Sequence, residues 1–535
     1  VHKPDQISWK AKKVTVLGLA REGTALTRYL VRQGAQVTVT DLKDSIALQK
    51  TLNELAVFSA VRYVLGGHPA EVLDCDVLFV SPGVPLDAPI LVEARRRGVT
   101  LSSEARLFCR LCPAPILGVT GSSGKTTTVT LAARMLEAGG KHVHLGGNIG
   151  NPLLGELVEV QPSDWVVMEL SSFQLDFFGT VLDAEPYGDA AHPVGMRQRV
   201  PPASGRSMSL LFPPGGWSPH VAAVLNVTPN HLDRHPTMQA YVAAKLNILR
   251  YQEARDYAVL NWDDPVTRTF VEDCRGHVVF FSLSERVSQG AYLKGNTLML
   301  VHGGTGGEAG TSPGGSETPV CGRDELLLRG VHNVANVLAA CALVALLDVP
   351  AEAMAVVART FAGVEHRLEL VCEWQGVSYY NDSIATSPER AIAALNSFAE
   401  PIVLLAGGRD KHLPWDAWVA AVQRKVVHVI TFGEAAPLIE RALGQGDVRG
   451  GQVPPTHRAE DLGRAVQLAH QLAQPGQVVL FSPGGTSFDA FHDYAERGQT
   501  FKRLVRSLRD CPETARASPL ERCGVSPSAR ERCRE

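Results

Sequence analysis

The chain has 535 residues, 45% hydrophobic and 20% charged, with a formal net charge of −3. That length predicts two or three domains, and the composition suits a globular protein with large buried cores. The charge balance carries no basic signature for nucleic acid, and no apolar run reaches the roughly 18 residues needed to cross a bilayer.

The opening "VHKPDQISWKAKK" is polar and lacks the apolar region of a signal peptide, so a cytoplasmic location is expected. "KVTVLGLA" then reads as a strand, "REGTALTRYLVRQG" as a helix ending at Gly34, and "AQVTVTD" as a second strand. "CDVLFVSPGVP" reads as a third strand running into a Pro-Gly loop, which makes a parallel βαβ unit. A second α/β series begins near Ala114. A third begins near Gly363, with "PIVLLAGGRD", "VVHVITFG" and "QVVLFSPGGTSFDAF" as strand-then-loop units. "NVLAACALVALL" from Asn336 is too short to span a membrane and reads as a buried helix.

Two stretches break this rhythm. Residues from about 176 to 220 are rich in Pro, Gly and Ser and read as an insert. "GGTGGEAGTSPGGSETP", about 303–319, is of low complexity and reads as a mobile loop. The polar tail 509–535 is expected to be disordered. Ten cysteines show no disulfide rhythm. Cys109 and Cys112 form a lone CxxC and read as structural thiols, and Cys511, Cys523 and Cys533 fall in the tail.

The chemistry concentrates in strand-end loops. "GVTGSSGKTTT" follows the apolar run "APILGVT". The strict phosphate-loop pattern puts four residues between its first glycine and Gly-Lys; here Gly118 comes one residue early and Val119 holds the expected place. The core "GSSGKT" is intact. Gly121 and Gly124 allow close backbone approach, with Ser122 and Ser123 between them, and the amides and helix N-terminus can face phosphate. Lys125 can reach the terminal phosphates, and the Thr126 hydroxyl, followed by Thr127, can bind Mg²⁺. The competing reading is an ordinary glycine-rich strand-to-helix turn.

Further on, "DWVVMELSSFQL" ends a strand in Glu169, where an acid can complete a metal site; alone it would read as a surface glutamate. "VLNVTPNHLDRH" delivers Asn226, His231 and Asp233 from another strand end, which gives His231 more weight than a lone histidine has. "AYVAAKLNIL" is helical and places Lys245 among small residues. Spacing alone gives that lysine no special role.

These stretches, with "GVHNVANVLAA", "VEHRLE", "NDSIATSPE", "AGGRDK" and "SPGGTSFDAF", resemble the Mur ligases, a family of ATP-dependent amide-forming enzymes. The resemblance runs from about Lys13 to about Leu508 and is closest to the members that join D-glutamate to UDP-N-acetylmuramoyl-L-alanine in peptidoglycan precursor synthesis. It implies an α/β protein of three tandem domains. These are an N-terminal Rossmann-like domain for the UDP-substrate (1–111), a central ATP-binding domain with a P-loop ATPase-type mixed sheet (112–363), and a C-terminal Rossmann-like domain for the amino acid (364–508). A monomer is expected.

The resemblance also implies roles. Lys125 and Thr126 would hold ATP and Mg²⁺, with Glu169 and His231 at the metal and the reacting carboxylate. Lys245 would carry a CO₂-derived carbamate, which turns a cation into the hard oxygen donor Mg²⁺ prefers. Asn333 and Asn336 would lie on the adenine side, and Arg367 and Asp382 would meet the nucleotide from the third domain. Thr386, Lys411, Ser487 and Tyr494 would form the amino-acid pocket. Ala20, Arg21, Asp41 and Gly83 would hold the UDP part, and Asn148 would lie along the same substrate.

In the first domain, "GLAREG" keeps Gly18 and Gly23 but has Ala20 for the middle glycine of a dinucleotide fingerprint, with Asp41 ending the next strand. A nicotinamide-dependent redox enzyme is therefore one alternative. A non-catalytic relative is another, and a sibling ligase for a different amino acid such as L-glutamate is the nearest. Ile384 stands where many family members have lysine near the amino acid, and Leu42 where a hydroxyl residue is common.

Overall fold

The computed structural model describes residues 8–148, 152–179, 216–229, 234–303, 315–411, 413–448 and 453–508. Most of the insert about 176–220, the centre of the 303–319 loop, the tail 509–535, His231 and Asp233 lie outside the described residues.

Three sheets carry the fold. The first holds β1 (Lys13–Leu17), β2 (Gln36–Asp41), β3 (Arg62–Leu65), β4 (Val77–Val80) and β5 (Thr100–Ser102), all parallel, in the order β3-β2-β1-β4-β5. Central strands are buried on both faces, as a helix-covered parallel sheet requires: Val77, Leu78, Phe79 and Val80 are all buried. The sequence reading counts Val77–Val80 as the third strand, but it is the fourth. β3, "RYVL", is a half-exposed edge strand whose apolar signal is weak.

The second sheet holds β6 (Ile116–Thr120), β7 (Val143–Gly147), β8 (Trp165–Glu169), β9 (Val221–Val224), β10 (Tyr257–Asn261), β11 (His277–Ser282), β12 (Gly290–Lys294), β13 (Thr297–Val301) and β14 (Glu317–Gly322). Its order is β14-β13-β12-β11-β10-β9-β6-β8-β7. The sheet is mixed: β12, β13 and β14 pair antiparallel and the rest are parallel. The low-complexity stretch is therefore shorter than expected, because residues 317–319 already pair in β14. The helix Val331–Ala345 is buried along most of its length, as its apolar run predicts.

The third sheet holds β15 (Glu369–Trp374), β16 (Val377–Asn381), β17 (Ile402–Gly407), β18 (Val426–Phe432), β19 (Thr456–Arg458) and β20 (Val478–Gly484), in the order β15-β16-β20-β17-β18-β19. β15 and β16 form an antiparallel hairpin turned by Gln375 (φ +49°) and Gly376 (φ +75°). Two successive left-handed residues are what a two-residue type I′ turn needs.

The chain divides into two compact units. One comprises Val1–Glu325 with His332–Ala358 and carries the first two sheets; the other comprises Leu326–Val331 with Arg359–Glu535 and carries the third. No disulfide joins the described cysteines. The CxxC thiols are held locally: Cys109 Sγ lies 3.8 Å from Met168 Sδ, and Cys112 Sγ donates to the Ala114 carbonyl at 3.4 Å. Among the described residues, no helix is long and apolar enough to cross a membrane.

Candidate active site

In open parallel sheets, ligands bind outside the carboxyl ends of the strands. The carboxyl ends of β6, β8 and β9 are adjacent in the second sheet, so Thr120, Glu169 and the residues after Val224 come together there. β6 runs into the loop Gly121–Gly124, and the helix Lys125–Ala138 follows at once.

The strand-end after β9 sets the shape of this loop. Ser122 N–H donates to the Asn226 carbonyl at 3.0 Å, and Ser123 N–H donates to Asn226 Oδ1 at 2.9 Å. Asn226 Nδ2 returns a bond to the Ser123 carbonyl at 3.2 Å. Ser122 Oγ lies 3.1 Å from the Tyr241 hydroxyl. Gly124 takes φ +83°, and a Cβ there would sit 2.3 Å from Asn336 Oδ1. Asn336 is fixed in turn by donating to Asn333 Oδ1 at 3.0 Å. Both asparagines therefore back the loop from the helix Val331–Ala345. Thr127 is buried in the following turn.

Two lysines converge on one carbonyl. Lys125 Nζ donates to the Gly121 oxygen at 2.8 Å, and Lys245 Nζ donates to the same oxygen at 2.9 Å. Lys245 is 1% exposed and lies over the Tyr241 ring at 4.6 Å. Burial pushes its ammonium well below the usual lysine range; the Lys125 charge adds to this and Glu169 opposes it. Buried Glu169 sits opposite. Its Oε2 accepts from Thr126 Oγ1 at 2.7 Å and its Oε1 from Asn148 Nδ2 at 2.8 Å. Asn148 thus stands on the same carboxylate as Thr126. A hydroxyl and a carboxylate in contact at the head of a phosphate-type loop are hard oxygen donors and fit Mg²⁺.

The first sheet presents its own strand ends. Gly18 (φ +94°) turns the chain after β1, and a Cβ on Gly23 would lie 2.0 Å from the Gly18 carbonyl oxygen. Asp41 Oδ2 accepts from Leu19 N–H at 2.7 Å and Oδ1 from Lys43 N–H at 2.9 Å, so this carboxylate ties two loops together. Ala20 caps the helix Arg21–Arg32, and Ala20, Arg21 and Gly83 are exposed beside it. Sequence reasoning missed Arg234, although it lies inside "NHLDRH". Its Nη1 donates to the Gly83 carbonyl at 2.7 Å and its Nη2 to the Pro82 carbonyl at 3.1 Å, pinning the "SPGV" loop. His235, next in the same motif, is buried with Nε2 3.0 Å from Ser172 Oγ.

In the second compact unit, Asp382 is buried at the end of β16. Its Oδ2 accepts from Ser482 Oγ at 2.8 Å and its Oδ1 from Leu368 N–H at 3.2 Å. Burial pushes this carboxyl up to about 7, against those bonds and the charges of Arg367 and Arg390. Both neighbours of Arg367 are left-handed, His366 at φ +65° and Leu368 at φ +44°. Such backbone is costly for non-glycine residues and clusters at functional sites. The Tyr494 ring packs edge-on to His366, and the Tyr494 carbonyl accepts from Ser383 Oγ at 2.7 Å.

Arg497 is another residue the sequence reading passed over. It is buried, and it donates to Ser383 Oγ, the Ser383 carbonyl and the Gly485 carbonyl at 2.9–3.1 Å. It thereby locks the "NDS" and "PGG" loops together. Thr386 N–H donates to the Ile384 carbonyl at 2.8 Å, and Ser487 is buried in the loop after β20. Desolvation lowers the pKa of both Arg390 and Lys411, and like charge adds to it: Arg367 acts on Arg390, and Arg390 on Lys411. Three cations therefore share one region, at the place where Ile384 leaves no charge of its own.

Together, these sites define an α/β protein with a phosphate-type loop on its central sheet, and the chain belongs to the Mur ligase family. Residues 12–103 match the Mur ligase MurD-like N-terminal domain, 119–187 and 215–344 the Mur ligase middle domain, and 366–485 the Mur ligase glutamate ligase domain. The chain is 41% identical over 503 residues to the UDP-N-acetylmuramoylalanine–D-glutamate ligase of Acetivibrio thermocellus, covering 93% of this chain and 97% of the relative. It is also 41% identical over 502 residues to the enzyme of the same name from Symbiobacterium thermophilum, covering 93% and 98%. Among solved structures, the UDP-N-acetylmuramate-alanine ligase MurC of Thermotoga maritima superposes with a TM-score of 0.54 at 17% identity, over 93% of this chain and 99% of that one. That likeness supports the shared fold.

Proposed function

We infer that this chain is the ATP-dependent ligase that adds D-glutamate to UDP-N-acetylmuramoyl-L-alanine. The observation that carries the reading is the assembly of Lys125, Thr126, Glu169 and Lys245 around the Gly121–Gly124 loop. It sits in a chain 41% identical over nearly its whole length to ligases of that name. On this reading the first sheet is a Rossmann-like holder of the UDP part through Ala20, Arg21, Asp41 and Gly83. The central mixed sheet is the P-loop ATPase-type domain, and the third, Rossmann-like sheet presents the amino acid through Thr386, Lys411, Ser487 and Tyr494.

A carboxylate is a poor electrophile, so amide formation needs it activated. The γ-phosphoryl group of ATP passes to the L-alanine carboxylate, giving an acyl phosphate and ADP. The amine of D-glutamate attacks the acyl carbon, and phosphate leaves. The loop amides and Lys125 hold the phosphates and offset their charge. Thr126 and Glu169 would hold Mg²⁺, which would supply positive charge to offset that of the phosphates. Asn333 and Asn336 support the loop on the adenine side, Arg367 and Asp382 are assigned to the nucleotide on the resemblance alone, and Asn148 fixes Glu169. His231 is assigned to the reacting carboxylate on the resemblance alone.

Lys245 fits the carbamate role for a physical reason. Only a neutral amine attacks CO₂, and burial favours the neutral form of this lysine. Its nitrogen bonds to the CO₂ carbon and sheds a proton, leaving an anion where an ammonium would repel a metal. The cations Arg390 and Lys411 suit an amino acid carrying two carboxylates. The test is phosphate release with ATP, the UDP-linked acceptor and each glutamate enantiomer in turn; release with neither would refute the reading.

A further inference from the structure

At the opposite end of β7 and β8 from Glu169, two histidines and an aspartate converge. His142 immediately precedes β7 and His144 lies within it; residues two apart in extended chain point to the same side. Asp164 immediately precedes β8, which pairs with β7 in parallel register, His144 opposite Val166. His144 Nε2 lies 3.1 Å and His142 Nδ1 3.3 Å from the same atom, Asp164 Oδ2. The three ligand atoms all lie within 4.8 Å of one another. Glu169 is five steps along the strand from Asp164, so the two Cα atoms stand about 16 Å apart at roughly 3.3 Å per residue.

We propose that His142, His144 and Asp164 form a binding site for a borderline divalent cation of the Zn²⁺ class. Two imidazoles and one carboxylate suit Zn²⁺ rather than the all-oxygen shell of Mg²⁺. Tetrahedral ligands about 2.0–2.1 Å from zinc stand about 3.3–3.4 Å apart, close to the two separations seen here. The hydrogen bonding of Asp164 points the same way. Oδ2 already accepts the Gln161 N–H at 2.8 Å, and both rings crowd onto that one oxygen. Among the described residues, Oδ1 has only the Ser163 hydroxyl, at 3.5 Å. A cation between the rings and Oδ2 would relieve this crowding and let both rings act as acceptors.

The other nitrogen of His144 faces a carboxylate, with Nδ1 3.7 Å from Glu156 Oε2. A carboxylate behind a ligating histidine fixes its tautomer and raises its basicity. His144 and Asp164 are buried, and the His142 side chain is 72% exposed, so an ion can enter from solvent. Water would complete the shell. The ion would tie edge strand β7 to the turn that starts β8.

Equilibrium dialysis of the chelator-treated full chain against Zn²⁺, with excess Mg²⁺ filling any oxygen-only site, tests the proposal. One Zn²⁺ per chain is expected, with absorption by Co²⁺ in the same site reporting a low-coordinate shell. His142→Ala removes an exposed side chain and should fold normally; it should weaken binding roughly tenfold or more. Asp164→Asn, which keeps an oxygen for the Gln161 N–H, should do the same, whereas Glu169→Gln should leave Zn²⁺ binding unchanged. The proposal is overturned by the absence of stoichiometric binding. Binding that ignores both His142→Ala and Asp164→Asn, or that is lost in Glu169→Gln, overturns it equally.

Discussion

Gly124→Ala places a methyl group at the tightest point of the phosphate loop. Two costs follow from the structure. Gly124 sits at φ +83°, and the left-handed region costs a non-glycine residue roughly 1–2 kcal/mol. The new Cβ would also lie 2.3 Å from Asn336 Oδ1, with Leu225 Cδ1 3.3 Å away on another side. Asn336 must then retreat by about 1 Å to restore van der Waals contact, which breaks its bond to Asn333, worth about 0.5–1.5 kcal/mol. A total near 2–3 kcal/mol is expected. If the native loop keeps its shape, the loss appears as stability, read from urea midpoints. If the loop relaxes, it appears as about 30- to 150-fold weaker binding of a fluorescent ATP analogue. Gly140→Ala is the control: Gly140 takes φ +78° at the far end of the same helix, with nothing within 4 Å of its Cβ position. It should show only the backbone cost and no loss of ATP affinity. A Gly124→Ala protein within about 0.5 kcal/mol of wild type in both readouts would refute the reasoning.

Lys245→Ala should lose most ligase activity, and formate or acetate should restore part of it by supplying an anion to the vacated space. Lys245→Arg keeps the charge and fills the space, so it should not be rescued; full activity of Lys245→Ala without added acid would remove the carbamate role. Lys125→Ala should abolish product formation while the UDP-substrate still raises the Tm, since Asp41 ends β2 and Gly83 lies in the loop after β4, both on the first sheet's side of the substrate; near-normal turnover would contradict the phosphate role. Glu104, buried in the first unit, accepts the Leu154 N–H at 3.0 Å, and burial first and the Glu22 charge second push its carboxyl far above the ordinary range. A raised native value favours the fold below the unfolded value and loses that contribution as pH rises through the native one. Glu104→Gln keeps an accepting oxygen and stays neutral, so its stability relative to wild type should rise from about pH 5 to about pH 9; parallel urea-midpoint profiles would count against it.

The strands at the centres of the sheets were legible because both faces are buried, leaving continuous apolar runs such as "VLFV" and "VVLF". β3, β15 and β16 were not: β3 is a half-exposed edge strand, β15 mixes exposed and buried positions, and β16, though largely buried, is short and runs straight out of the hairpin turn. The phosphate loop could be read from glycine spacing, since the backbone itself binds there. The depth of Lys245 could not: its helix places it beside Gly121 only through packing between residues 124 apart. Arg234 and Arg497 were missed for the same reason. Each acts by holding two loops far apart in sequence, and a lone arginine in a motif carries no mark of that.

The central claim is that this chain activates the carboxylate of UDP-N-acetylmuramoyl-L-alanine with ATP and couples it to D-glutamate. Phosphate release and amide product, measured on the purified full chain with ATP, Mg²⁺, the UDP-linked acceptor and one glutamate enantiomer at a time, test it most directly. The account predicts stoichiometric phosphate and product with D-glutamate and background levels with L-glutamate. Equal or greater turnover with L-glutamate, or none with either, would contradict it.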